Sequence, residues 1–340
     1  MKRILVTRFS AMGDTAMVAS VLKNLQREHA DTEIIVVSRK PFFAFFTGIP
    51  RLKFHAIDPK NRHKGIFGLI RLSNELQKYQ ADAMADLHNN LRSRILSFLF
   101  AARNKGNIAI LDKGRAEKKA LTRKDNKILK PLKLTVERYA DVFRALGLPF
   151  TLTHRLEKEH RLIPNGMLPI LASDKIKVGI APFAQHPYKI FPQHKMTEVI
   201  AELAKKNIQI ILFGGGEVEK KQTQQWANTF PNVYSTIGQY NLEQELDIIS
   251  HLDLMLSMDS SGMHMASIVG TRCVSVWGAT HPYAGFIGYG QAESDCVQVN
   301  HPNRPSSVFG NKPCDCDGVE AIDLVSSAMV IAKINQILNV

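Results

Sequence analysis

Cysteine is scarce, with four residues in 340. Cys314-Asp-Cys316 has no second Cys or His pair at zinc spacing, which speaks against a structural zinc site. Cys273 lies in an apolar run and reads as core, and free thiols are expected throughout. No apolar run is long enough to span a bilayer. The opening Met1-Lys-Arg leads into a short apolar stretch without a signal-peptide core, so a cytoplasmic protein is expected. The dinucleotide fingerprint G-x-G-x-x-G is missing from the first turn, which argues against an NAD enzyme. No cluster stands at His/Asp metal spacing, so a reaction without metal or other cofactor is expected. No recognition helix, zinc finger or aromatic-bearing RNA sheet accompanies the basic charge, which argues against nucleic acid. Short repeats and low-complexity tracts are absent as well.

What is present describes an ordinary folded chain, 45% apolar and 22% charged, long enough for two cores. The formal charge of +13 is concentrated. Between residues 103 and 130 there are ten Lys/Arg against three Asp/Glu, over half of the excess. This segment reads either as a solvated loop or as a docking surface for an anionic partner, with an anionic membrane or glycolipid favoured over nucleic acid.

Short apolar strands alternate with amphipathic helices. Strands are expected at 3–7, 33–37 and 82–87, and helices at about 15–29, 94–102 and 136–148. A polar stretch from about 153 to 175 reads as a linker. Beyond it come strands at 177–181, 208–213, 254–257 and 274–277. Helices are expected at 193–205, 217–229, 242–250 and 262–269, with a last one within 321–340. Alternation of this kind makes an α/β protein with parallel sheets. Two halves predict two Rossmann-like domains, 1–160 and 172–320, whose strand ends face a central cleft. The last helix, about 325–340, is free to pack back on the first domain.

Four loops carry the chemistry. Asp14, beside Gly13 after the first strand, reads either as a helix cap or as a general base. Lys189, in Pro187-Tyr-Lys-Ile-Phe-Pro192, is either an exposed lysine or a partner for phosphate. Gly214-Gly-Gly216 followed by Glu217-Val-Glu219 is a strand–turn–helix corner that could bring a ligand near the backbone. In Asp259-Ser-Ser-Gly-Met-His264 a helix start offers free N–H groups, with Ser260, Ser261 and His264 as further donors to phosphate. The structural alternative there is an N-cap Asp259 and a core His264. Pro41-Phe-Phe-Ala-Phe-Phe46 reads as core packing rather than as a membrane contact.

Together these residues resemble glycosyltransferase family 9, the heptosyltransferase family of lipopolysaccharide core assembly, over nearly the whole chain. Arg8-x-Ser-Ala-x-Gly-Asp14 matches its opening motif, and Lys189-Ile-Phe-Pro192 is similar to its Lys-x-Trp-Pro element. Phe213-Gly-Gly-Gly-Glu-Val-Glu219 corresponds to a ribose-holding corner, with the register open between Glu217 and Glu219. Asp259-Ser-Ser-Gly-Met-His264 resembles the diphosphate motif, and Gly278-Ala-Thr280 the Gly-x-Thr after it. Ser261 stands where the family has glycine.

The resemblance implies the GT-B architecture and an inverting, metal-independent transfer. The sugar would be a heptose or a similar one, carried by a nucleotide-diphosphate donor such as ADP-heptose, and the acceptor a phosphorylated, lipid-linked saccharide. It implies Asp14 and Lys189 as catalytic residues. Donor-binding residues would be Ser10, Gly13, Lys189, Gly215, Glu217, Glu219, Asp259, Ser260, Ser261, Gly262, His264 and Thr280. Arg92, Arg94, Lys113, Arg115, Lys118 and Lys119 would meet acceptor phosphates or an anionic membrane surface. A non-catalytic sugar-nucleotide or polyanion-binding protein and a UDP-sugar epimerase of the same fold are the alternatives.

Overall fold

The computed structural model describes residues 2–104 and 106–340. Two compact units emerge: residues up to Arg115 together with Lys133–Thr153, and Ala116–Leu132 together with His154–Val340.

The first unit is built on a five-stranded parallel sheet in the order β3-β2-β1-β4-β5. Its strands are β1 (Arg3–Thr7), β2 (Glu33–Arg39), β3 (Leu52–Ile57), β4 (Ala83–Asp86) and β5 (Asn107–Ile110). The β-branched centres of β1 and β2 are buried on both faces, as a helix-covered parallel sheet requires. α1 (Met12–Glu28) connects β1 to β2, and α5 (Thr135–Ala145) packs against it. α2 (Gly65–Leu76) and α3 (Leu91–Arg103) pack on each other. Their Leu69, Leu72, Leu76, Leu96 and Phe100 share one cluster with Leu5, Ile35 and Met84 of the sheet. In the segment 41–46, Phe42, Phe45 and Phe46 are buried as core packing requires, while Phe43 is half exposed.

The second unit holds a six-stranded parallel sheet in the order β11-β10-β9-β6-β7-β8. Its strands are β6 (Ile176–Ala181), β7 (Ile208–Leu212), β8 (Val233–Ser235), β9 (Leu254–Met258), β10 (Cys273–Val276) and β11 (Cys296–Val297). Around it run α6 (Leu168–Leu171), α7 (Gln193–Ala204), α8 (Glu217–Thr229), α9 (Leu242–Ser250) and α10 (Ser261–Ile268). A short hairpin of β12 (Asp315–Cys316) and β13 (Val319–Glu320) precedes α11 (Ser327–Leu338). All four cysteines are free thiols.

Two features bear on the sequence reading. The basic segment is divided, with residues 103–115 in the first unit and 116–130 in the second, where 123–130 run as a mostly exposed loop. It includes α4 (Arg115–Thr122), and Leu121 and Leu132 bury against Ala284, Tyr283 and Phe286. Lys127 Nζ donates to the carbonyls of Asn303 and Pro305 at 2.6 and 2.9 Å. The last helix, α11, stays with the second unit, where Val330 and Ile334 join the core beneath α7.

In both sheets the strand order reverses beside the first strand of the half. β1 lies between β2 and β4, and β6 lies between β7 and β9. The loops leaving β1 and β4 diverge at that point, as do those leaving β6 and β9. Open α/β sheets hold their ligands at such switch points.

Candidate functional site

In the first unit the switch point gathers residues from three segments. Asp14 sits in the first turn of α1 and reaches back to the Ala11 N–H. Its Oδ2 meets Arg8 Nη2 at 2.6 Å and its Oδ1 accepts from the Tyr139 hydroxyl at 3.0 Å. Arg8 is nearly fully buried and also donates to the Leu87 carbonyl at 2.7 Å. Burial works against its guanidinium, yet Asp14 more than offsets this and its pKa is raised. Burial likewise lifts the Tyr139 phenol well above its usual value, so it stays a neutral donor. Asp14 therefore serves its own helix start and is also presented as a carboxylate, with about a fifth of its side chain exposed.

After β4, buried Asp86 organises the neighbouring loop. Its oxygens accept from Thr7, Ser93 and the N–H groups of His88 and Asn89. His88 Nδ1 accepts from the Phe9 N–H at 3.1 Å. Burial, then the charges of Arg8 and Lys113, pushes the His88 pKa down to about 3, so this imidazole is neutral at any working pH. Lys113 is depressed by burial and by Arg8 and Arg115, with Asp14 and Asp86 opposing. Arg92 and Arg94 lie in the first turn of α3, Arg94 exposed. Lys118 and Lys119, grouped with these cations in the sequence reading, belong to the second unit. There Lys118 Nζ lies 4.2 Å over the Phe286 ring, and Lys119 is exposed on α4. Ser10 precedes α1, and Gly13 lies in its first turn.

In the second unit the loops after β6 and β9 meet. Lys189, in a 3-10 turn after β6, places Nζ 2.9 Å from Asp259 Oδ2 at the end of β9. Ser260 takes the N-cap position of α10, and its side chain does not cap the helix. The first-turn N–H groups thus keep the polarity that favours an anion. Gly262 has a packing role, because a Cβ there would lie 2.7 Å from Ala181 Cβ and 2.8 Å from Ser257 Oγ. Ser261 begins the helix, and His264 is buried one turn in. Thr280 is buried with its hydroxyl unpartnered. At the glycine corner Glu219 accepts from the Gly215 N–H at 2.7 Å, whereas Glu217 is exposed.

Sequence reasoning missed the residues that hold these groups in place. Arg8 lay inside a quoted motif without a role, and Tyr139 and His88 reach the site through long-range packing. In the second unit Gly310 (φ +74°) leaves room for the Lys189 stem, which any Cβ there would overlap. Buried Arg304 donates to the carbonyls of Gly278, Val299, Trp277 and Thr280. Among the described residues no group of three or more His, Cys, Asp or Glu is placed to hold a metal ion, Cys314 and Cys316 included.

Comparison with known proteins agrees with this architecture. Lipopolysaccharide core heptosyltransferase OpsX of Haemophilus influenzae is 26% identical over 301 residues, covering 83% of this chain and 80% of that protein. The crystal structure of a family 9 glycosyl transferase from Veillonella parvula superposes with a TM-score of 0.74 at 18% identity, over 99% of this chain and 97% of the other. E. coli heptosyltransferase WaaC with ADP-2-deoxy-2-fluoro heptose gives 0.68 at 18% identity, over 98% and 99%. These likenesses fit the GT-B fold of two Rossmann-like halves. A sequence profile of glycosyltransferase family 9 (heptosyltransferase) matches residues 69–309, well over half of the chain. The chain therefore belongs to glycosyltransferase family 9 and is a glycosyltransferase.

Proposed function

We propose that the enzyme transfers a heptose from ADP-heptose, with inversion, to a hydroxyl of a phosphorylated, lipid-linked lipopolysaccharide core acceptor. The observation that carries this reading is Asp14, a partly exposed carboxylate at a sheet switch point, held by Arg8 and Tyr139 and surrounded by cations. The acceptor oxygen would attack the anomeric carbon as its proton passes to Asp14, and the bond to the donor's diphosphate would break. General-base help of this kind is worth roughly 10²–10⁴-fold.

The second unit would take the donor. Lys189, the α10 start with Ser260 and Ser261, His264 and Thr280 would carry the diphosphate charge, and Glu217 or Glu219 the ribose. Preorganised donors of this sort stabilise a departing anion by about 3 kcal/mol each. Arg92, Arg94, Lys113 and Arg115 would meet acceptor phosphates. Relatives named for lipopolysaccharide heptose transfer support the sugar and the acceptor class. No helix among the described residues is long and apolar enough to cross a membrane, and we place the enzyme peripherally at an anionic bilayer where a lipid-linked acceptor resides.

The test is transfer from ADP-heptose by wild type and by Asp14→Asn. Turnover should fall at least about a hundredfold in the variant while ADP binding is kept. A variant of near wild-type rate would dismiss Asp14 as the base. A thermal-shift response to UDP-sugars alone would move the assignment toward the epimerase.

A further inference from the structure

We infer that the outward face of α2 and α3 inserts into an anionic lipid bilayer, docking the first unit on the membrane. The inference rests on the lipid-linked acceptor for its purpose, though the surface stands on its own residues. α2 and α3 lie side by side on one face of the sheet and bury Leu69, Leu72, Leu76, Leu96 and Phe100 inward. On the opposite face large apolar side chains point into water: Phe67 is 84% exposed, Leu91 79% and Phe98 71%. Leu91 and Phe98 are seven residues apart on α3, two turns along one stripe, and Ile66 adds to Phe67 on α2. Single exposed apolar residues need no explanation, but three of this size on two adjacent helices do.

The charges on these helices select the occupant. Lys64, Arg71 and Arg94 are exposed around the apolar side chains. α3 carries no acid at all, and the one acid of α2, Glu75, is engaged with Arg62, His55 and His63. A two-fold contact between copies would bring the cations of this face against those of its copy with no acid free to pair them, since such a contact matches a patch with its own image. An anionic lipid surface instead attracts every charge on the face, while the aromatic and leucine side chains enter the boundary between headgroups and acyl chains. The basic segment singled out by composition is the poorer candidate, because Lys118 and Lys127 are spent on internal contacts and its apolar Ile128 and Leu129 are only about half exposed.

Co-sedimentation of the full-length protein with vesicles tests this directly. Wild type should bind phosphatidylglycerol/phosphatidylcholine vesicles and bind phosphatidylcholine alone far more weakly. The triple substitution Phe67→Ser, Leu91→Ser and Phe98→Ser should weaken binding about a thousandfold, at roughly tenfold per inserted side chain. Arg71→Glu should weaken binding to the anionic vesicles alone, by about tenfold. Transfer to a water-soluble, delipidated acceptor should be unchanged in the triple variant. Unaltered vesicle binding by the triple variant overturns the inference. So does a wild-type dimer in sedimentation velocity that the triple variant breaks, which would assign the face to a second copy. Vesicle binding that follows these expectations, with no sugar transferred to any soluble acceptor, upholds the docking face and removes the transferase reading instead.

Discussion

Lys189 Nζ stands 2.9 Å from Asp259 Oδ2, tying the loop after β6 to the end of β9 at the start of α10. The pair is largely buried, so the ammonium is held in one place beside the N–H groups of a helix. A lysine fixed this way can meet a diphosphate without first being ordered, which spares the entropy of a long flexible stem.

Gly310→Ala should weaken donor binding through that lysine. The new methyl would overlap Lys189 Cγ and Cδ, and φ of +74° adds about 1 kcal/mol of backbone strain. We expect the donor KM to rise about tenfold while the melting temperature moves by only a few degrees. A donor KM equal to that of wild type would show that Lys189 does not touch the donor.

Tyr139→Phe isolates one hydrogen bond of the Asp14 carboxylate and leaves the Arg8 contact in place. Loss of a neutral donor to a charged oxygen is worth about 1.5–3 kcal/mol. The expected effect is a fall in kcat of about tenfold with little change in the donor KM. Arg8→Met should be far more damaging, at about 3 kcal/mol of stability, because it removes the cation paired with Asp14 and the donor to the Leu87 carbonyl. Urea unfolding and steady-state kinetics separate the two effects.

Much of the fold could be read from periodicity because the second unit's strands are uniformly apolar and its helices sharply bounded. α8 and α9 fall on the residues expected, and β6, β7, β9 and β10 agree to within one residue at either end. The region between β2 and β4 was illegible. β3 is an edge strand in which Lys53 and Ala56 are exposed, so it lacks a continuous apolar run. α2 opens Gly-Ile-Phe-Gly, with two poor helix formers and two apolar residues turned to water, the reverse of an amphipathic pattern. Loop motifs announced Asp14, Lys189 and Asp259, since glycine and polar residues after a strand mark a ligand corner. Tyr139 lies 125 residues from the carboxylate it serves, and no local pattern records that contact.

Glu245 should give the protein a pH-dependent weakness. Burial in the first turns of α9 pushes its carboxyl pKa up to about 7. Unfolded, the group releases its proton near 4.5. Between these values the folded state binds more protons than the unfolded one, so stability falls as pH rises and the loss is complete above about 7. Glu245→Gln removes the titration. The variant should match wild type at pH 4 and exceed it by about 2 kcal/mol at pH 8 in urea unfolding, since solvent reaches part of the side chain and screens it. A difference that does not change with pH would mean that the glutamate is solvated in the folded state.

Arg304 binds no substrate in this scheme, yet donor affinity should depend on it. Its guanidinium donates to Gly278 O at 2.6 Å, Thr280 O at 2.9 Å and Trp277 O at 3.3 Å, gathering the loop after β10 around one planar cation. Burial pushes its pKa down to about 10, still high enough to keep the charge. The same loop packs on the Lys189 turn through the Ala279 N–H, which donates to the Tyr188 carbonyl. Arg304→Lys keeps a charge but replaces a planar fork by a point donor that cannot reach all these carbonyls. The donor KM should then rise about tenfold with kcat nearly preserved, because Asp14 belongs to a separate unit. Arg304→Met should lose about 3–5 kcal/mol of stability and serves as the folding control. If Arg304→Lys lowers stability while the folded enzyme keeps wild-type donor affinity, the arginine supports the core alone and Thr280 is not held for the diphosphate.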